Sequence, residues 1–132
     1  MTTAATTPSA AIQQFSDCLN TGDLEGALAL YEPDAVFQPA PGRAALHGRD
    51  AIREALAGFF ALRGTIVGEI VTVHETGDIA LVANRWRLRG TEPGGGVVEL
   101  AGTSADVLRR RTDGTWGIVV DDPFHSAGRE SA

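Results

Sequence analysis

Apolar positions along the chain recur at two different periods, and the change from one to the other falls near Gly64. Upstream, Ile12, Phe15, Cys18 and Leu19 repeat at the spacing of one helix face, with Ser9 placed as an N-cap, which predicts a first helix from Ser9 to about Asn20. The stretch NTGD breaks that helix and supplies a new cap. Leu24, Ala27, Leu28 and Tyr31 then form the face of a second short helix that must end before Pro33. Ala35 to Gln38 reads as a brief strand and PAPGRAALHG as a loop without regular structure. Ile52, Leu56, Phe59 and Phe60 predict a third helix starting at Arg49 or Asp50.

Downstream of Gly64 the period is two. TIVGEIVTVHE, IALVANRWRLRG, VVELAGTSADVLRRR and TWGIVVDD are separated by TGD, EPGGG and TDG, which predicts four long strands joined by hairpin turns. Helices at the front and strands at the back give an α+β domain with the helices covering one face of the sheet. Both strand faces carry apolar residues, so the uncovered face is expected to meet another subunit. Alternation places Val82, Asn84, Trp86 and Leu88 on one face, with Arg85, Arg87 and Arg89 opposite; Ser104, Asp106, Leu108 and Arg110 share a face, as do Trp116, Ile118, Val120 and Asp122. If the tryptophan-bearing faces look toward the helices, Asp106, Asp122, Asn84 and Trp86 share one interior and Asp121 points to the surface or a dimer contact. A β-bulge would reverse part of that assignment.

Composition narrows the chemistry. At 132 residues and 43% hydrophobic the chain suffices for one domain, expected at 9–125 between disordered tails at 1–8 and 126–132. The net charge of -6 excludes a phosphate-tracking surface, so no nucleic-acid partner is expected. All 11 positive charges are arginines, which removes any lysine base or Schiff base. MTTAATTP has neither the basic start nor the apolar run of a signal or anchor, and no membrane partner is expected. The single Cys18 fits a reducing cytoplasm. His47, His74 and His125 lie on three different elements, so neither a metal nor another cofactor is expected. EPGGG is a hairpin connection rather than a phosphate loop, and no GxSxG elbow is present.

The phrases FSDCLNTGDLEGALALYEPDAVF, HGRDAIREAL and DVLRRRTDGTWGIVVDDP, in this order of elements, resemble the nuclear transport factor 2-like superfamily, and within it the SnoaL-like proteins and their ketosteroid isomerase relatives. The resemblance spans roughly residues 9–125 and implies a cone-shaped fold, three N-terminal helices on a curved antiparallel sheet enclosing a pocket. It also implies a homodimer through the outer face of the sheet. Asp106 in DVLRR stands where the isomerase has its oxyanion acid, a carboxyl kept neutral by an apolar site. Phe15 stands in place of the isomerase tyrosine, and Gln38-Pro39 in place of its base. Asp122 resembles the carboxylate that SnoaL-type cyclases and limonene epoxide hydrolase-like members carry near the end of the last strand. The Arg-x-Asp of the hydrolases is here Arg85-Trp86-Arg87.

The expected ligand is a small hydrophobic molecule, and the expected chemistry is cofactor-free isomerisation or cyclisation of a carbonyl or enol compound. The alternatives are a non-catalytic binding domain and an epoxide hydrolase-like or dehydratase-like activity. Asp122 or His125 would act as base or acid, Asp106 as donor, and Asn84 or Gln38 would orient the substrate. Phe15, Leu19, Tyr31, His47, Phe59, Trp86, Leu108 and Trp116 complete the expected pocket. The plainer readings are that Asp122 caps a strand end in water, and that Asp106 sits in an ion pair with an arginine.

Overall fold

The computed structural model describes residues 5–125. The first helix, α1 (Pro8–Thr21), starts earlier than its apolar pattern: Thr7 is the cap, its hydroxyl accepting from the Ala10 N–H at 3.1 Å, and Pro8 opens the first turn. Ahead of α1, Ala5 is buried and its carbonyl accepts from the Trp116 N–H at 2.9 Å, which ties this part of the chain to β6. Residues 1–4 and 126–132, the rest of the expected tails, lie outside the described residues. Gly22, at φ 76°, closes α1 in a left-handed turn that returns the Gly22 and Asp23 N–H groups to the carbonyls of Leu19 and Cys18.

The second helix, α2 (Leu24–Leu28), is a single turn, so Tyr31 is not helical as expected but opens strand β1 (Tyr31–Phe37). Pro33 is tolerated there because the pairing of β1 with its neighbour is interrupted between Tyr31 and Val36. The expected loop contains a two-residue strand, β2 (Leu46–His47), and leads into α3 (Arg49–Phe60). Strands β3 (Thr65–Thr76), β4 (Ile79–Thr91), β5 (Val97–Arg110) and β6 (Trp116–Asp122) follow as the period of two predicts.

The six strands form one sheet in the order β2-β1-β6-β5-β4-β3, antiparallel except for β1 beside β6. One face is buried at every second residue of β4, through Ala80, Val82, Asn84, Trp86 and Leu88, and the helices cover that face. The main core gathers Tyr31, Ile52, Leu56, Val82, Leu108, Trp116 and Ile118, and a smaller cluster forms at Leu19, Trp86 and Leu88. A carboxylate pins β1 to the end of the sheet: Glu32 accepts from Arg111 at 2.7 Å and Arg109 at 3.3 Å. The outer face leaves Val67, Ile79, Leu81 and Val97 exposed.

Candidate functional site

Between α1, α3 and the inner face of β4–β6 lies an apolar recess. Phe15, Leu19 and Phe59 line it from the helices, Phe37, Trp86, Leu88 and Ile118 from the sheet. Its walls are locked edge to face: Phe15 on Tyr31 (centroids 6.2 Å apart), Tyr31 on Phe37 (6.4 Å) and Phe37 on Phe59 (6.4 Å). At the other end the Trp86 indole N–H donates to the Pro123 carbonyl at 2.7 Å while its ring packs edge-on against Phe124.

Two carboxyl groups form the polar part of this surface, Asp106 on β5 and Asp121 on β6, directly opposite each other across the strand pair. The second is one residue away from the aspartate expected on sequence grounds. On β6, Leu108 faces Ile118 whereas Val107 faces Val120, so Val119 is an extra residue and a β-bulge. Beyond the bulge the alternation is inverted, which carries Asp121 inward and turns Asp122 away.

Both groups are almost fully buried, Asp106 at 4% and Asp121 at 9% exposure. The Tyr31 phenol donates to Asp121 Oδ2 at 2.5 Å, and the Ser104 hydroxyl lies 3.0 Å from Asp106 Oδ2 with the Asn84 carbonyl as its other acceptor at 3.3 Å. Asp106 Oδ1 is buried and accepts from no N–H or O–H donor among the described residues. No arginine pairs with Asp106 among the described residues, which removes the ion-pair reading. Burial first, and then the charge of Asp121, hold the Asp106 carboxyl well above the usual carboxylate range, against the hydrogen bond from Ser104. Burial also raises Asp121, but hydrogen bonds from Asp106 and Tyr31 work in the opposite direction. Tyr31, buried beside Asp121, has its phenol pushed far up and remains a donor. The arrangement is thus a coupled pair of facing carboxyls in which the proton is favoured on Asp106 over Asp121.

The recess brings together Asp106, Phe15, Leu19, Phe59, Asn84 and Trp86 from the expected set. Asn84, 7% exposed, has a side-chain amide with no hydrogen bond to any described residue, and Gly68 opposite leaves it room: a Cβ there would lie 3.0 Å from its Oδ1. The other expected residues fall elsewhere, for identifiable reasons. Asp122 is half-buried outside the recess, 3.0 Å from Nδ1 of the exposed His125, so both leave the site with the bulge. Gln38 spends its amide on the carbonyls of Ala40 (2.8 Å) and Arg43 (2.5 Å) and braces the loop. His47 is exposed on β2. Leu108 and Trp116 are sealed core residues behind the recess, and Tyr31 reaches Asp121 from behind without lining it. Sequence reasoning missed Asp121 and Ser104. The doublet Asp121-Asp122 was a signal that one of the two must face in, but parity alone selects the wrong one.

The sequence profile of the SnoaL-like domain family matches residues 12–117. No curated protein sequence matches the chain at a significant level. Among solved structures, a ketosteroid isomerase-like protein from Erwinia carotovora atroseptica superposes with a TM-score of 0.73 at 27% identity, over 86% of this chain and 88% of that one. A scytalone dehydratase-like protein from Novosphingobium aromaticivorans gives 0.75 at 19% identity, over 86% and 77% of the two chains. An NTF-2 like protein of unknown function from Shewanella oneidensis gives 0.69 at 17% identity, over 84% and 90%.

Proposed function

Because the chain belongs to the SnoaL-like domain family of the nuclear transport factor 2-like superfamily, whose fold is that of a small-molecule-binding domain, we propose that it is a cofactor-free acid–base enzyme for a small, largely apolar carbonyl or enol compound. One observation carries this reading: two opposed carboxyl groups in an apolar recess, one held neutral and one ionisable. The Asp121 carboxylate removes a proton from the carbon beside the carbonyl. Once Asp121 holds that proton it no longer accepts from Asp106, whose own carboxyl proton turns to the oxygen as negative charge develops there. Return of the proton to a different carbon of the enol makes product and substrate isomers, so no redox partner is needed. Asn84 orients the ligand, and Tyr31 fixes the rotamer of Asp121.

Exchange of the α-hydrogens of cyclohexanone for deuterium, followed by NMR in D2O, tests the proposal without knowledge of the natural substrate. The expected result is exchange above the buffer rate, lowered by about 10²- to 10⁴-fold in Asp121→Asn. A ketone that binds and exchanges no faster than in buffer overturns it in favour of the second reading, a non-catalytic binding domain. That alternative is favoured by the 2.5 Å bond that commits Asp121 Oδ2 to Tyr31. We further propose, from the exposed Val67, Ile79, Leu81 and Val97, a homodimer through the outer face of the sheet, and a reducing cytoplasmic location from the buried free thiol of Cys18. Among the described residues no helix is long and apolar enough to cross a membrane.

A further inference from the structure

The apolar recess encloses only about 80 Å³. A single apolar ring occupies a cavity of about 150 Å³, so the recess takes the carbonyl end of such a ring and leaves its far edge at the mouth. Between α1 and β3 lies a groove of about 340 Å³ that shares Ile12, Ser16, Ile66 and Asn84 with the recess and therefore continues it. The helix wall of this groove is polar. Gln13, Ser16, Asp17 and Asn20 fall at three-and-four spacing along one face of α1. Asn20 clamps the wall to β3, accepting from the Ile66 N–H at 2.7 Å and donating to the Ile66 carbonyl at 3.0 Å. Gln13, Ser16 and Asp17 have no such commitment.

A second observation points to a ligand there. Where recess and groove meet, Asn84, 7% exposed, lines both, and its side-chain amide makes no hydrogen bond to any described residue, so it is available to a ligand hydroxyl or carbonyl. Charge then selects the ligand. Among the described residues no arginine or histidine lines the recess or the groove, whereas Asp106 and Asp121 line the first and Asp17 the second, in a chain of net charge -6. An anionic group would meet only like charge.

We propose that the groove is a second subsite, which takes a polar, uncharged or amine-bearing extension of the ligand whose carbonyl end enters the recess. The substrate class is then an elongated neutral or cationic ketone and not a carboxylate or a phosphorylated compound. The inference rests on the reading of the recess as the ligand site, and the probes below separate the two.

The test is an NMR titration of the full chain, observed at the Trp86 indole N–H, with cyclohexanone and four derivatives extended at carbon 4 by propyl, 3-hydroxypropyl, 3-aminopropyl or 2-carboxyethyl. The hydroxypropyl compound should bind about three- to tenfold tighter than the propyl one, with the carboxylate weakest. Asn84→Leu should abolish the hydroxyl's advantage. Asp17→Lys, on an exposed helix position that tolerates exchange, should shift the amine-to-carboxylate preference by about fivefold toward the carboxylate. Equal binding of the four extended compounds alongside a clear cyclohexanone response overturns the subsite and leaves the recess standing. No response to cyclohexanone or any derivative overturns both.

Discussion

Asp106→Asn should make the protein more stable above neutral pH. Asp106 is 4% exposed and faces the Asp121 carboxyl across the strand pair, so ionising it places a second charge in a dry site. Its carboxyl is held well above the usual range in the folded protein, chiefly by burial. The folded state then binds a proton that the unfolded chain releases near pH 3.9. Between that value and the folded pKa the folded state holds more protons, so stability falls as pH rises, by up to about 1.4 kcal/mol per pH unit for this one group. An asparagine has the same shape, keeps an N–H donor for Asp121, and has no proton to lose. The two unfolding free energies should therefore meet near the unfolded-state pKa and diverge above it, the variant being the flatter. With a urea slope of about 1–3 kcal/mol/M, each 1.4 kcal/mol moves the midpoint by roughly 0.5–1.4 M, well within the resolution of the assay. Urea unfolding at about pH 4, 6 and 8 measures this. Parallel curves, or a variant that loses ground to the wild type as pH rises, would refute the placement of an uncompensated neutral acid at Asp106.

Three further outcomes follow from the same geometry. Tyr31→Phe removes the phenol that donates to Asp121 at 2.5 Å, so the Asp121 carboxyl should titrate at higher pH in a ¹³C NMR titration and stability at neutral pH should fall by about 1–3 kcal/mol; an unmoved titration means that bond is not formed in solution. Asp122→Asn should leave ketone exchange within about twofold of wild type, because Asp122 is outside the recess beside His125, whereas Asp121→Asn should be the damaging one; the reverse pattern would place the bulge wrongly. Leu81→Glu should convert a dimer to a monomer in light scattering at micromolar concentration, and a monomeric wild type would remove the proposed interface.

Most of the fold could be read from periodicity because its elements are long and bury one face. Strands β3 to β6 emerge within a residue or two of their sequence boundaries, and the inward set Val82, Asn84, Trp86 and Leu88 is the one that alternation selects. The departures are where local pattern had a competitor. Tyr31 keeps a helical spacing with Leu24, Ala27 and Leu28, but its ring is worth more buried in the sheet core, at 0% exposure between Phe15 and Phe37, than on a helix of one turn. The short strand β2 has no propensity signal because two residues pairing with Val36 and Phe37 need only a neighbour, not a pattern.

The site was half legible for a sharper reason. A carboxylate in mid-strand among apolar residues is visible in any alternating segment, and Asp106 is visible in this way. Its partner is not, because the side-chain period of a strand is two and a single inserted residue transfers everything beyond it to the other face. The bulge at Val119 is a relation between two strands, Val107 with Val120 and Leu108 with Ile118, and no feature of β6 alone encodes it. Physical chemistry nevertheless constrains the outcome. The buried Tyr31 phenol needs an acceptor, and an inward carboxylate on β6 supplies it. The observed register joins Tyr31, Asp121 and Asp106 into one hydrogen-bonded and electrostatically coupled group. The bulge is thus the element that turns an ordinary strand end into a paired acid and base.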